Sequence, residues 1–532
     1  MTPMTPIWKQ DAESVAGTPF EPGRRRDVVV VGAGLTGLST ALLLTRQGLD
    51  VAVVEADEVG GLASGANTGK LTLLQGSVLS ALRRHHPARL VRAYVESNID
   101  GARWLTGIAD ELGVSYSHRT AYSYAQTPAG VAAIEAELHA ATEAGLPVRR
   151  VEPDLLAQTP FDMVDAVALD RQVAIDPQRL LVALTHALLR EGGTLHTGVR
   201  VTRVHTVPRA GVETEAGYVA ADYVVLATAT PITDRGLYFA KVRGLRSSGV
   251  AFATEGPLLE GLYLAVDGET KSVRSITAND GPAHAAQLVV GGNGFAVGRS
   301  PSPLAEVNGL VAWTQHHFPG AEPVASWSAQ DYESHDLMPF VGAMPRGLGR
   351  IRFATGYAKW GLSNAPAAAL RLTAEITRVP RRERPDWMNV ISTRFTMPAD
   401  LARGGVQNLR IGWEAAAGWI GAQAAPTPVR RPVEGEGVVA SRAGQPVGIS
   451  TVEGHTCAVS AVCTHLGGVL RWNDAELTWD CPLHSSRFTA DGRRIEGPAL
   501  RDLARLPRVP GEEVEEADEP GASLRSEPDI DR

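Results

Sequence analysis

Cysteine is scarce in this chain: three among 532 residues, Cys457, Cys463 and Cys481, all within a 25-residue window. A secreted scaffold stapled by disulfides needs more of them, spread wider, so the chain reads as intracellular and cytoplasmic, with its thiols reserved for chemistry. A basic excess is lacking as well. Against 51 lysines and arginines stand 59 aspartates and glutamates, a net charge of −8, which leaves no footprint for nucleic acid or an anionic membrane surface. Long apolar runs are also few. The uncharged stretch 28–45 follows Arg24, Arg25 and Arg26, a layout that a window scan reads as a membrane span or a twin-arginine signal. Its three patterned glycines, with Thr36, Ser39 and Thr40, and the missing small-residue cleavage site make it a strand, a turn and a helix instead. No membrane span is expected.

What is present is ordinary for a folded protein: 44% hydrophobic and 21% charged residues. The length points to three or four domains at about 150 residues each. Residues 1–26 are polar and rich in Pro and Gly, a flexible leader with Trp8 as its candidate anchor. From Asp27 the pattern is strand, glycine turn, apolar helix to Gln47, Gly48 as cap, and a second strand VAVVE. Further β-branched strands are VRVTRVHTV, YVAADYVVLATAT, QLVVGGNG and RIRFATGY, with helical stretches near 78–112, 129–145, 177–191 and 364–377. This alternation predicts an α/β domain over 27–385 with a substrate-facing sheet inserted at roughly 236–335. Residues 386–433 read as a linker with a helix over GWEAAAGWIG and a Pro-rich hinge, and 434–508 as a compact all-β unit. Residues 509–532, with nine acidic and two basic residues from Gly511 onward, read as an acidic disordered tail.

The run VVVVGAGLTGLSTALLL places Gly32, Gly34 and Gly37 in G-x-G-x-x-G spacing directly after a strand and at the opening of a helix. The first glycine permits the tight turn, the second lets a pyrophosphate approach the backbone, and the third allows close packing of helix on strand. Leu35 and Thr36 then lie at a helix N-terminus suited to a diphosphate. Glu55 ends the next strand, 18 residues after Gly37, where a carboxylate can accept hydrogen bonds from a ribose diol. The sequence GGNGFAVG from Gly291 to Gly298 mimics a second fingerprint but lacks a following strand with a terminal acid, so it is expected to be a turn in the inserted sheet.

The segment EADEVGGLASGANTGKLT, which holds Ala56, Asn67, Thr68, Gly69 and Lys70, resembles the flavin-contacting loop of the glycine oxidase/D-amino-acid oxidase-like FAD oxidoreductases. LHTGVRVTRVHTV with YVVLATA, and RFATGYAKWGLSNAPAAA after HDLMPFVGAMP, extend the resemblance over about 26–380. The resemblance implies FAD as cofactor, with Val201 meeting the adenine through its backbone and Ala227 and Thr228 near the pyrophosphate. It further implies that Gly356, Gly361 and Leu362 close over the flavin ring at a helix N-terminus, where negative charge on reduced flavin is stabilised. Lys70 and Lys359 can stabilise the same charge, although an exposed lysine on a solvated face is the commoner outcome.

The strongest motif is AVCTHLGGVL followed by WDCPLHSSRF. Cys463 and His465 form C-x-H, 15 residues intervene, and Cys481 and His484 form C-x-x-H. Two loops, each with one thiolate and one imidazole, suit a Rieske [2Fe-2S] cluster, in which two histidines replace two cysteines on one iron. Tetrahedral zinc is the alternative, but the C-x-H pair departs from zinc-finger spacing. The turns resemble Rieske loops, and the match spans about 434–508, including GPAL. Gly468 and Leu483 stand where respiratory-type Rieske proteins carry an extra disulfide, and Phe488 where they often have tyrosine. Ser486 remains as a donor to the sulfurs. Cys457 reads as a small buried core residue.

The fold class is therefore α/β, a Rossmann-like FAD-binding domain with an inserted antiparallel substrate sheet, plus a small all-β Rieske domain. The order resembles bacterial FAD-dependent oxidoreductases that carry a Rieske domain. It implies oxidation of a small-molecule substrate at a carbon bearing an amine or hydroxyl, with single electrons passing to the cluster. An external one-electron acceptor or donor, ferredoxin or quinone-like, completes the flow, and the hinge holds cluster near flavin as a tether. Two alternatives stay open: reverse flow from cluster to FAD, and an oxidase whose Rieske unit senses redox state or is a structural cap. A Rieske oxygenase is excluded, because only 48 residues follow His484 and none is histidine. No catalytic side chain is identified, although His335, Tyr332, Arg246 and Trp360 are candidates to face a substrate.

Overall fold

The computed structural model describes residues 4–233, 235–256, 258–281, 288–391, 417–424 and 429–507. Its first sheet has eight strands. The run of valines in Arg26–Val31 is buried on both faces and pairs in parallel with Val51–Val54 on one side and Gly217–Leu226 on the other. Such a continuous apolar strand belongs at the centre of a parallel sheet covered by helices. The helices Leu35–Arg46, Pro177–Arg190 and Gly361–Ile376 supply that cover through one core that includes Leu38, Leu42, Leu181, Leu184 and Leu372. The register aligns Val31 with both Val54 and Leu226. Gly32, Glu55 and Ala227, the residues that follow, therefore emerge together at the carboxyl edge, where ligands of open α/β sheets bind.

The second sheet has nine strands, and only five of them fall in 236–335. The inserted sheet expected there is completed by Lys70–Leu71, Tyr116–Ala125, Arg149–Arg150 and Asp165–Ile175. Sequence reading missed these because Tyr116–Ala125 (YSHRTAYSYA) has few apolar residues to display a two-residue period. The sheet is also not purely antiparallel, since Leu262–Ala265 joins Tyr116–Ala125 in parallel. GGNG is not a turn: strand Leu288–Ala296 runs through it, paired with Val242–Ala253. The stretch 78–112 is two helices, Val78–His85 and Ala88–Leu112, parted at Pro87, whose ring fits a helix start and not its interior.

The leader is held down over its described part. Ile7 and Trp8 are buried, and Trp8 Nε1 donates to the Asn67 carbonyl at 2.8 Å. The C-terminal unit consists of a three-stranded and a four-stranded antiparallel sheet. Its core joins Val459, Leu470, Trp479 and Phe488 to Cys463 and Cys481. Cys457 is half-buried, not a core residue, because its strand His455–Ser460 lies at the edge of the three-stranded sheet. Of the expected linker, helix Asp386–Val390 and a helical turn at 417–423 are described. Residues 392–416 and 425–428, and with them part of the expected hinge, lie outside the described residues, as does the acidic tail. No helix among the described residues is long and apolar enough to cross a membrane.

Candidate active site and metal centre

A cavity of about 680 Å³ opens where the two large sheets meet. The cofactor positions read from the sequence all line it except Gly37 and Gly69. Gly37 acts one layer back: a Cβ there would run into the Gly32 carbonyl, so helix and strand close up only around glycine. Gly32 has φ +108°, and a Cβ on it would meet the Ala227 carbonyl at 2.5 Å. Gly69 likewise has its Cβ position filled by the Ile175 carbonyl. Helices Leu35–Arg46 and Gly361–Ile376 both point N-termini without side-chain caps toward the cavity. The Leu35 N–H donates to Ser64 Oγ at 3.0 Å, and the remaining first-turn N–H groups and the dipoles suit a diphosphate and a ring that gains negative charge. Thr36 Oγ1 and the Tyr357 hydroxyl, 3.0 Å apart, tie the two helix starts together.

Glu55 accepts from the backbone N–H groups of Ala33 at 2.7 Å and Asp57 at 2.9 Å, and burial raises its carboxyl above the ordinary range. Lys359 is exposed, as expected, but toward the cavity, and Lys70 is half-buried beside it. Both line the cavity, where burial pulls Lys70 down to about 7 and lowers Lys359 against the pull of Asp331. Asp331 lines the same wall and is pushed up by burial to about 6. Among the substrate-facing candidates, Tyr332 and Trp360 reach the cavity. His335 and Arg246 do not line it, and Arg246 serves the junction described below.

In the C-terminal unit the two loops bring all four expected ligands together. The His465 and His484 rings stand 5.1 Å apart, centre to centre, at 83°. The two sulfurs lie within hydrogen-bond reach of each other: the Cys463 thiol is lowered chiefly by a bond from Cys481, whose own thiol is raised. Backbone N–H groups of His465 and Leu466 and the Ser486 side chain reach Cys463, while those of His484 and Leu483 reach Cys481. Such donors stabilise sulfur that carries negative charge. Burial lowers the His484 imidazole to about 4, which keeps it neutral, and its buried Nδ1 has no hydrogen-bond partner among the described residues. Two imidazoles and two N–H-wrapped sulfurs fit a [2Fe-2S] cluster bound asymmetrically. Among the described residues no three His, Cys, Asp or Glu side chains converge as a lone ion requires.

The junction between the two centres was invisible in the sequence. Phe239 of the large domain stands edge-on to both His465, at 4.7 Å, and His484, at 4.9 Å. The second cluster loop presses into the large domain at two glycines: a Cβ on Gly244 would overlap the Ser485 side chain, and one on Gly298 would meet the Pro482 nitrogen at 2.8 Å. Arg246, 1% exposed, makes an ion pair with Glu476 of the small domain. Gln330 Nε2 donates to the Ser485 carbonyl at 2.8 Å and to the Tyr332 hydroxyl at 2.7 Å. The small domain also reaches the cavity itself, since Arg494, Ile495, Glu496, Gly497 and Ala499 form part of its wall. The cluster unit is thus docked on the flavin-type domain and not merely tethered to it.

Comparison with known proteins agrees with both halves. The family model for FAD dependent oxidoreductase (DAO) matches residues 27–375, and that for the Rieske [2Fe-2S] domain matches 426–507. The Bacillus subtilis protein YhfW, named for a Rieske 2Fe-2S iron-sulfur centre, is 27% identical over 94% of this chain and 97% of its own length. Gamma-glutamylputrescine oxidoreductase of Escherichia coli is 28% identical over 38% of this chain and 48% of its own. Glycine oxidase from Geobacillus kaustophilus shares the fold with a TM-score of 0.56 at 21% identity, covering 67% of this chain and 95% of its own. With a glycine-cradled cavity at the sheet edge, a two-cysteine, two-histidine centre beside it and a family match over most of its length, the chain belongs to the FAD dependent oxidoreductase (DAO) family and carries a C-terminal Rieske [2Fe-2S] domain.

Proposed function

We propose that the chain oxidises a small molecule at a carbon bearing an amine, an amino-acid nitrogen or a hydroxyl, and passes the electrons singly through the Rieske centre to an external acceptor. The carrying observation is the shared wall: Glu496 and its neighbours in the Rieske domain line the same cavity as Gly32, Glu55 and Gly361. When bound, FAD supplies acceptance of two electrons and their release one at a time, and the cluster supplies a one-electron acceptor. The cavity residues named above hold FAD in this reading, and Cys463, His465, Cys481 and His484 hold the irons. Lys70, Lys359 and Asp331 set the charge that a substrate and a reduced ring meet. Relatives named for glycine, proline and gamma-glutamylputrescine support a nitrogen-bearing substrate. Scarce cysteine supports a reducing compartment, the cytoplasm.

The test is anaerobic mixing of the full holoprotein with a panel of amines, amino acids and alcohols, read by flavin bleaching and by the electron paramagnetic signal of the reduced cluster. A substrate that bleaches the flavin and then raises the cluster signal supports the reading. Bleaching with the cluster left oxidised, and full turnover with oxygen, would return the Rieske domain to a structural or sensing role.

A further inference from the structure

Glu496 is a carboxylate that the Rieske domain contributes to the cavity of the flavin-type domain. It ends the strand Arg494–Glu496, is 3% exposed and lines the cavity wall. The Tyr332 hydroxyl donates to its Oε1 at 3.4 Å, and its Oε2 is buried without a hydrogen-bond partner among the described residues. A buried oxygen left unbonded is costly, and a native protein keeps one where it does something. The charges around Glu496 come from every element packed on it. Arg487 is its partner in the neighbouring strand, Asp480 lies one strand further, Arg246 and Tyr332 reach in from the large domain, and Glu476 pairs with both arginines. Arginines remain charged under all ordinary conditions, so within this knot Glu496 is the carboxylate that also borders the cavity and is free to take a proton. Burial pushes its carboxyl up to about 7, against the pull of Arg487 and Arg246.

We infer that Glu496 is the proton acceptor that accompanies electron passage from flavin to cluster. The inference rests on the flow proposed above and adds a residue to it. Complete reoxidation of an anionic reduced flavin would release two electrons and one proton; Glu496 would take that one proton, across the cavity it borders, while the electrons pass singly to the cluster. Over the two passages the one-electron acceptor would take two electrons from the cluster and the single proton would pass from Glu496 to water, so that charge and atoms balance over the pair. Tyr332, held by Gln330, is a positioning residue: its hydroxyl fixes one carboxylate oxygen and leaves the other toward the cavity. The same Gln330 amide group donates to the carbonyl of Ser485, beside the ligand His484. The geometry of the proton acceptor and of the cluster loop is therefore set by one side chain.

The test uses full-length holoprotein reduced photochemically without substrate, so that it does not depend on which substrate or acceptor is correct. Infrared difference spectra of wild type should show a protonated carboxyl appearing as the flavin passes an electron to the cluster, shifted in heavy water and absent in Glu496→Gln. Passage from flavin to cluster should be about 100-fold slower in Glu496→Gln and lose its pH dependence there. A carboxyl signal that persists in Glu496→Gln, or a passage rate unchanged by it, overturns the inference. If that variant fails to assemble, Tyr332→Phe keeps the carboxylate and should shift the carboxyl band, and an unshifted band overturns the inference equally. Should wild-type flavin and cluster exchange no electron at all, the failure is that of the proposed function, and it is seen before any variant is made.

Discussion

Docking of the cluster loop on Gly244 can be tested by a single methyl group. In Gly244→Ala the new carbon would overlap the Ser485 side chain, and no positive φ interferes with alanine at this position. Carbon contacts relax near about 3.5–4.0 Å, so the loop carrying Cys481 and His484 must retreat by about 1 Å or more. Overpacking of this kind costs about 1–3 kcal/mol, or roughly a 5- to 150-fold fall in the docking equilibrium. FAD and iron contents should remain at wild-type levels, because Gly244 lies outside both ligand sets. The assay is photoreduction of the flavin with the cluster signal followed in time, and the expected result is slower passage in Gly244→Ala. Ser485 has φ +69°, a conformation that glycine accepts readily, so Gly244→Ala with Ser485→Gly removes the overlap without strain and should recover speed. Wild-type passage in Gly244→Ala, or no recovery in the double variant, would refute the reasoning.

Breaking the buried pair by Arg246→Met should cost about 3–5 kcal/mol in chemical denaturation, and removing Glu476 as well should restore only part of the loss, because Glu476 also pairs with the buried Arg487. Cys481→Ser should abolish the cluster signal and iron content while the protein stays yellow, and Gly37→Val should do the reverse, losing FAD through collision with the Gly32 carbonyl while iron is retained. In FAD-free protein, burial lowers Lys70 from 10.5 to about 7, so between these values the unfolded chain binds more protons than the folded one. Stability should therefore rise with pH across that window, and Lys70→Met should flatten the rise, as read from melting temperatures over a pH series.

What was legible in the sequence is local. Gly32, Gly34, Gly37 and Glu55 announce themselves because one turn and two adjacent strands dictate their spacing, and the four proposed cluster ligands because a Rieske centre needs one sulfur and one nitrogen from each loop. The contacts that make one device of two domains join residues far apart in the chain: Gln330 and Ser485 are separated by 155 residues, Tyr332 and Glu496 by 164. No periodicity or motif signals such a pair. Gly244 and Gly298 look like ordinary strand or turn glycines until the Ser485 and Pro482 atoms above them are seen. That Lys70 and Lys359 face one cavity was hidden for the same reason, since its walls come from distant segments of the chain. Trp8 gave a correct hint as an aromatic in a polar leader, but its partner, the Asn67 carbonyl, could not be named from sequence.

The central claim is that flavin and cluster exchange electrons within one chain across the docked junction. The most direct measurement is the rate at which the cluster signal grows after photoreduction of the flavin, followed through a dilution series of the holoprotein. The account predicts a first-order rate that does not change with protein concentration. A rate that falls in proportion to dilution, or a fully reduced flavin beside an oxidised cluster, would contradict it.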